Sequence, residues 1–97
     1  MQILTRKIVD DFIRKHPDAK ASITRWYTEC TIRDWESPKD LLETFNTADH
    51  VGKNIYVFNV KHNDYRLIAQ INFVAKIVLI KFIGTHAEYN RKNINNM

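Results

Sequence analysis

The chain has 97 residues, a 44% hydrophobic share and an 11% aromatic share, enough for one small core and a single domain over residues 1–97. Its one cysteine, Cys30, excludes an internal disulfide; no signal peptide is visible, and the most apolar run, 77–83, is too short to span a bilayer and contains Lys81. A cytoplasmic protein is therefore expected, and its net charge of +4 is unevenly spread: residues 1–49 hold 8 Lys and Arg against 9 Asp and Glu, residues 50–97 hold 7 against 2.

Such a basic half points to a polyanion or an acidic partner. The acidic half is read as helical. Leu4, Ile8, Val9, Phe12 and Ile13 recur at helical spacing, and Pro17 ends that helix at His16. Pro17 then suits the first turn of a second helix, whose apolar stripe is Ala19, Ile23, Trp26, Tyr27 and Cys30. Cys30 is read there as a packing residue. Ser37 is the N-cap of a third, short helix, with Pro38 in its first turn and Asp40 favourable to its dipole. A short edge strand is expected near His50 and Val51.

From Ile55 the period changes to that of strands. Residues 55–60, 65–74 and 77–85 are predicted as three strands joined by a hairpin at Lys61 to Asp64 and a tight turn at Ala75 and Lys76. Connections this short make the sheet antiparallel. Alternation puts Tyr65, Leu67, Ala69, Ile71 and Phe73 on one face of the middle strand and Arg66, Ile68, Gln70 and Asn72 on the other. On the last strand Val78, Ile80 and Phe82 are expected on one side, and Leu79, Lys81, Ile83 and Thr85 on the other. The expected result is an α+β domain whose helices cover one sheet face. Arg66, Gln70, Asn72 and Lys81 then lie on an open, partly basic face. A short helix or tail follows from His86, with residues 93–97 frayed.

Metal-free RNA cleavage needs a proton taken from the 2′-hydroxyl, charge stabilised at phosphorus, and a proton given to the leaving 5′-oxygen. An arginine fork matches phosphate oxygens, and a histidine titrates near working pH. A tyrosine can orient, donate or stack on a base. Arg66, His86 and Tyr89 supply this set as candidate catalytic residues. Lys53, Lys61, Lys81, Arg91 and Lys92 are candidate RNA- and ribosome-binding residues. Taken singly, each of the eight reads more readily as a surface, capping or packing residue; the grouping carries the signal. The histidines are too widely spaced for a metal site, and with Gly52 and Gly84 as the sole glycines there is no glycine-rich phosphate loop. No cofactor is expected.

The blocks Trp26-Tyr27, 35–41, 56–60, Asn63-Asp64-Tyr65-Arg66-Leu67 and Gly84-Thr85-His86-Ala87-Glu88-Tyr89 occur in an order that resembles the HigB branch of the RelE-like toxins of type II toxin–antitoxin pairs. The last two blocks are the specific ones. The resemblance implies a RelE-like fold, with helices on one face of a small twisted antiparallel sheet. The activity implied is endonucleolytic cleavage of mRNA in the ribosomal A site, leaving a 2′,3′-cyclic phosphate and a 5′-hydroxyl. The implied partner is a HigA-like helix-turn-helix antitoxin, through which the pair would reach operator DNA. Carried over residue by residue, Arg66 matches the basic residue of the central strand, and His86 and Tyr89 the C-terminal catalytic pair. His62 departs from the pattern, which has a glycine before Asn63. Either left-handed backbone falls on a histidine there, or the turn type differs. A non-catalytic basic nucleic-acid-binding module is the competing reading, since an open basic sheet face would serve either.

Overall fold

The computed structural model describes residues 1–92. The expectation for residues 93–97 lies outside them. The elements in order are β1 (Gln2–Leu4), α1 (Arg6–Lys15), a 3-10 turn (Pro17–Ala19), α2 (Lys20–Ile32), α3 (Pro38–Thr44), β2 (Asp49–Gly52), β3 (Ile55–Val60), β4 (Tyr65–Asn72), β5 (Ile77–Thr85) and α4 (His86–Asn90). The α+β expectation holds. So does the Ser37 cap, whose hydroxyl accepts from the Asp40 N–H with Pro38 in the first turn.

The sheet corrects one expectation. Its order is β1-β5-β4-β3-β2, and β1 runs parallel to β5, so the sheet is mixed rather than antiparallel. Leu4, read from periodicity as the start of the first helix, belongs instead to this three-residue edge strand. Thr5 turns the chain from β1 into α1 with a left-handed φ of 64°, and its hydroxyl donates to the Ile80 carbonyl on β5 at 2.6 Å. The remaining ladders, β2–β3, β3–β4 and β4–β5, are antiparallel as their short connections require.

The core lies between the helices and one sheet face. Val9 and Phe12 of α1, Ile23, Trp26 and Cys30 of α2, and Leu41 of α3 meet Leu67, Ala69, Ile71, Val78, Ile80 and Ile83. Cys30 is fully buried, and burial pushes its thiol far above the usual range, as befits an inert packing residue.

Ile83, and not Phe82, continues the core face of β5, which corrects the simple alternation. The register slips between Ile68 and Ala69 on β4, which face Phe82 and Ile80 on β5. Lys81 is thus the extra residue of a β-bulge, and everything beyond it changes sides. Phe82 emerges on the open face beside Ile68, while Ile83 takes the core place beside Leu67.

The β3–β4 hairpin answers the question left at His62. Lys61 and His62 both take left-handed backbone, with φ of 50° and 59°. Neither is the glycine such geometry favours. Tertiary contacts hold the loop: the Lys61 ammonium and the Tyr65 hydroxyl both bond one carboxylate oxygen of Asp18, each at 2.7 Å. At the other hairpin β4 stops at Asn72, two residues sooner than expected. Its side-chain oxygen accepts from the Val74 and Ala75 amides and shapes the turn.

Candidate active site

The register places the open face in rows across the strands. Asn59, Arg66 and Gly84 form one row; Val57, Ile68 and Phe82 form the next; Ile55, Gln70, Leu79 and Leu4 form a third. Val57 and Ile68 are as buried as core residues, at 2% and 0% exposure, yet they belong to no part of the core that the helices cover. The middle of this face is therefore apolar and covered by the side chains around it, with Arg66 at one margin.

Helix α4 folds against that margin. It is only five residues long and owes its start to a capping box. The Thr85 hydroxyl accepts from the Glu88 N–H at 3.2 Å, and the Glu88 carboxylate accepts from the Thr85 N–H at 2.8 Å. Those bonds hold the Glu88 carboxyl below the usual range. The cap aims His86, the first helical residue, and Tyr89 one turn later, from the same end of the sheet that carries Arg66.

The Arg66 guanidinium lies 6.0 Å from the centre of the Tyr89 ring, a cation–π pair. One of its nitrogens also donates to the Asn63 carbonyl at 3.3 Å. The same nitrogen also donates to the Tyr65 carbonyl at 3.5 Å, which leaves Nε and Nη2 for a ligand oxygen. His86 is exposed, with Nδ1 3.3 Å from the side-chain amide nitrogen of Asn90. That contact occupies the Nδ1 edge of the ring and leaves the Nε2 edge open.

The basic candidates are scattered differently. Lys92, just past α4, sets its ammonium 5.3 Å from the centre of the Phe82 ring. Arg91 is the exposed C-cap of α4. Lys81 occupies the bulge of β5, half-buried. Lys61 is committed to Asp18, on the far side of the hairpin, and that contact holds its ammonium pKa above the usual value. Lys53 lies in the β2–β3 turn, roughly 20 Å along β3 from the Arg66 row at ~3.3 Å per residue. Arg66, Tyr89, Phe82 and Lys92 thus come together, with His86 on the same short helix, while Lys53 and Lys61 stand apart.

Phe82 is the member of this group that alternation alone misplaces. The signal that could have found it is the lone Lys81 splitting an apolar run, followed by a glycine two residues after the ring. A groove of about 660 Å³ opens elsewhere, between α2, the end of α3 and the β3–β4 hairpin, lined by residues such as Arg25, Trp26, Phe45 and His62. It includes none of the candidate catalytic side chains. Among the described residues no group of His, Cys, Asp and Glu could hold a metal ion, and no helix is long and apolar enough to cross a membrane.

Comparison with known proteins gives a consistent picture. Residues 19–92 match the model of the HigB_toxin family, described as the RelE-like toxic component of a toxin–antitoxin system. The chain is 30% identical over 93 residues to an mRNA interferase HigB of Escherichia coli O6:H1, covering 94% of this chain and 90% of that protein. It is 28% identical over 93 residues to the mRNA interferase toxin HigB of Escherichia coli K12 and to an mRNA interferase HigB of Shigella flexneri, covering 93% of this chain and 88% of each relative.

Proposed function

This chain belongs to the HigB toxin family, the RelE-like toxic component of a toxin–antitoxin system, and on that premise we propose that its open sheet face cleaves mRNA held in the ribosomal A site. The protein is an endoribonuclease, an mRNA interferase. The observation that carries the siting of its chemistry is the convergence of Arg66 from β4 with His86 and Tyr89 from α4 at one end of the open face.

The steps follow from the residue types. The 2′-hydroxyl gives its proton to a water molecule as its oxygen attacks the adjacent phosphorus, the bond from phosphorus to the 5′-oxygen breaks, and a 2′,3′-cyclic phosphate and a 5′-hydroxyl remain. Arg66 holds the phosphate oxygens as negative charge builds on them. His86, in its protonated form, delivers the Nε2 proton to the leaving 5′-oxygen and is left as the neutral ring. Tyr89, held beside Arg66, orients the scissile nucleotide. Arg91 and Lys92 attract the phosphate backbone. The ribosome presents the mRNA, because a shallow open face does not enclose RNA by itself. A HigA-like antitoxin is the partner that silences the toxin, and operator DNA is reached through that antitoxin.

The test is single-turnover cleavage on programmed ribosomes by purified, folded variants. His86→Gln is expected to lower the rate about 10²–10⁴-fold. Thermal unfolding should be unchanged, since the ring is exposed. Cleavage at the parental rate would remove His86 from the mechanism. Equal cleavage of the same mRNA free of ribosomes would remove the A-site requirement.

A further inference from the structure

We propose that Phe82 is the platform on which the nucleobase next to the scissile phosphate stacks, and that the bulge at Lys81 and the bare backbone of Gly84 exist to put it there. The inference rests on the siting of RNA cleavage at Arg66, His86 and Tyr89.

Three observations converge. The bulge turns Phe82 away from the core, where strict alternation from Val78 and Ile80 would have buried it, and onto the open face opposite Ile68. There the ring is half-buried and packs against none of the core. It does not stand up from the sheet. A Cβ at position 84 would sit 2.6 Å from Phe82 Cζ, closer than any real side chain allows, so the ring reaches along the strand and lies over Gly84. The Lys92 ammonium lies over one face of the ring, which marks that face as the one turned towards the surface. Gly84 is the cross-strand partner of Arg66, which places that face diagonally beside the phosphate-binding guanidinium, about 7–8 Å away between backbones.

The surroundings name the ligand class. The Lys92 ammonium is already drawn to the ring, and Arg66 is its diagonal neighbour across the strands. An aromatic face with cations beside it is how proteins hold an unpaired base with its flanking phosphates. On binding, Lys92 yields the ring face to the base and moves to the phosphate. Stacking tolerates every base, so this platform positions the strand and sets which bond meets Arg66, without reading the codon through hydrogen bonds.

The test uses the full chain on programmed ribosomes, measuring the half-saturating toxin concentration and the maximal cleavage rate separately. Phe82→Leu keeps an apolar contact with Ile68 but loses the stacking face. It is expected to raise the half-saturating concentration roughly ten- to a hundredfold. Phe82→Trp should recover most of that loss. Gly84→Ala, which displaces the ring and also crowds Glu88 of the capping box, should be at least as severe as Phe82→Leu. An abasic nucleotide walked through the mRNA codon supplies a readout that needs no variant. At one position next to the cut it should weaken the parental protein, and it should not weaken Phe82→Leu further. Parental cleavage kinetics in a folded Phe82→Leu, or an abasic scan with no position-specific cost, would overturn the platform. Loss of antitoxin binding with cleavage intact would reassign the ring to a protein interface. A parental protein that cleaves no ribosome-bound mRNA would sink the siting of the reaction itself, a failure distinct from these.

Discussion

The two faces of the sheet are woven from the same strands and do opposite work. On the covered face Leu67, Ala69, Ile71, Val78 and Ile80 are at most 1% exposed and meet α1 and α2. On the open face the same strands carry Arg66, Gln70, Phe82 and the approach to α4. Adjacent residues therefore belong to different faces: Leu67 packs in the core and Arg66, one position earlier, stands on the open face beside Tyr89. Separating the two lets the chemistry be set by side chains whose loss the core does not register.

The sharpest way to break that comparison is to truncate the neighbours in turn. Leu67→Ala is expected to cost ~2–5 kcal/mol of stability through the cavity it leaves. At about 4–8 °C per kcal/mol for a domain of this size, it should lower Tm by ten degrees or more, seen by circular dichroism. Arg66→Ala should leave Tm within a few degrees and reduce single-turnover cleavage about 10²–10³-fold. An Arg66→Ala protein that unfolds early would mean the open face also carries stability.

A smaller effect sharpens the boundary between the faces, at α4. Thr85→Ala removes one arm of the capping box, worth ~1 kcal/mol. Five residues make a helix too short to persist without its cap. Cleavage should fall several-fold while Tm drops little, and the amides of residues 86–90 should exchange faster with solvent. Unchanged exchange there would show that the sheet, not the cap, holds the helix.

The smallest effect lies on the hairpin. Bonds from Lys61 and then Tyr65 hold the Asp18 carboxyl below its ordinary value of 3.8. A depressed carboxylate contributes its full stabilisation above the ordinary pKa and loses it as pH falls through the folded one. Urea midpoints of the parent and Asp18→Asn should differ by a constant amount from neutral pH to about pH 4, and converge below it. A gap that persists in strong acid would assign the effect to packing instead.

Much of this molecule was legible before any coordinates. The 3.6-residue stripes of α1 and α2 and the Ser37–Pro38 start of α3 follow from local propensity, as does the change of period at Ile55. The grouping of Arg66 with His86 and Tyr89 was also within reach, because β4 and β5 are joined by one tight turn and α4 follows directly. Pairing across a hairpin is a short-range event, and short-range events leave a pattern in sequence.

Tertiary structure decided what no local pattern carries. Gln2–Leu4 is too short for periodicity to mark it as a strand, and its partner on β5 lies some seventy-five residues away. Lys61 was counted among the RNA-binding candidates, yet a carboxylate forty-three positions earlier in the chain holds it. The bulge at Lys81 is the deepest case. Alternation predicts faces only while the register is unbroken, and one unpaired residue reverses every side chain beyond it. Sequence alone determined which polar side chains this chain could bring to the open face; the slipped register between β4 and β5 decided that Phe82 would stand among them and Ile83 would not.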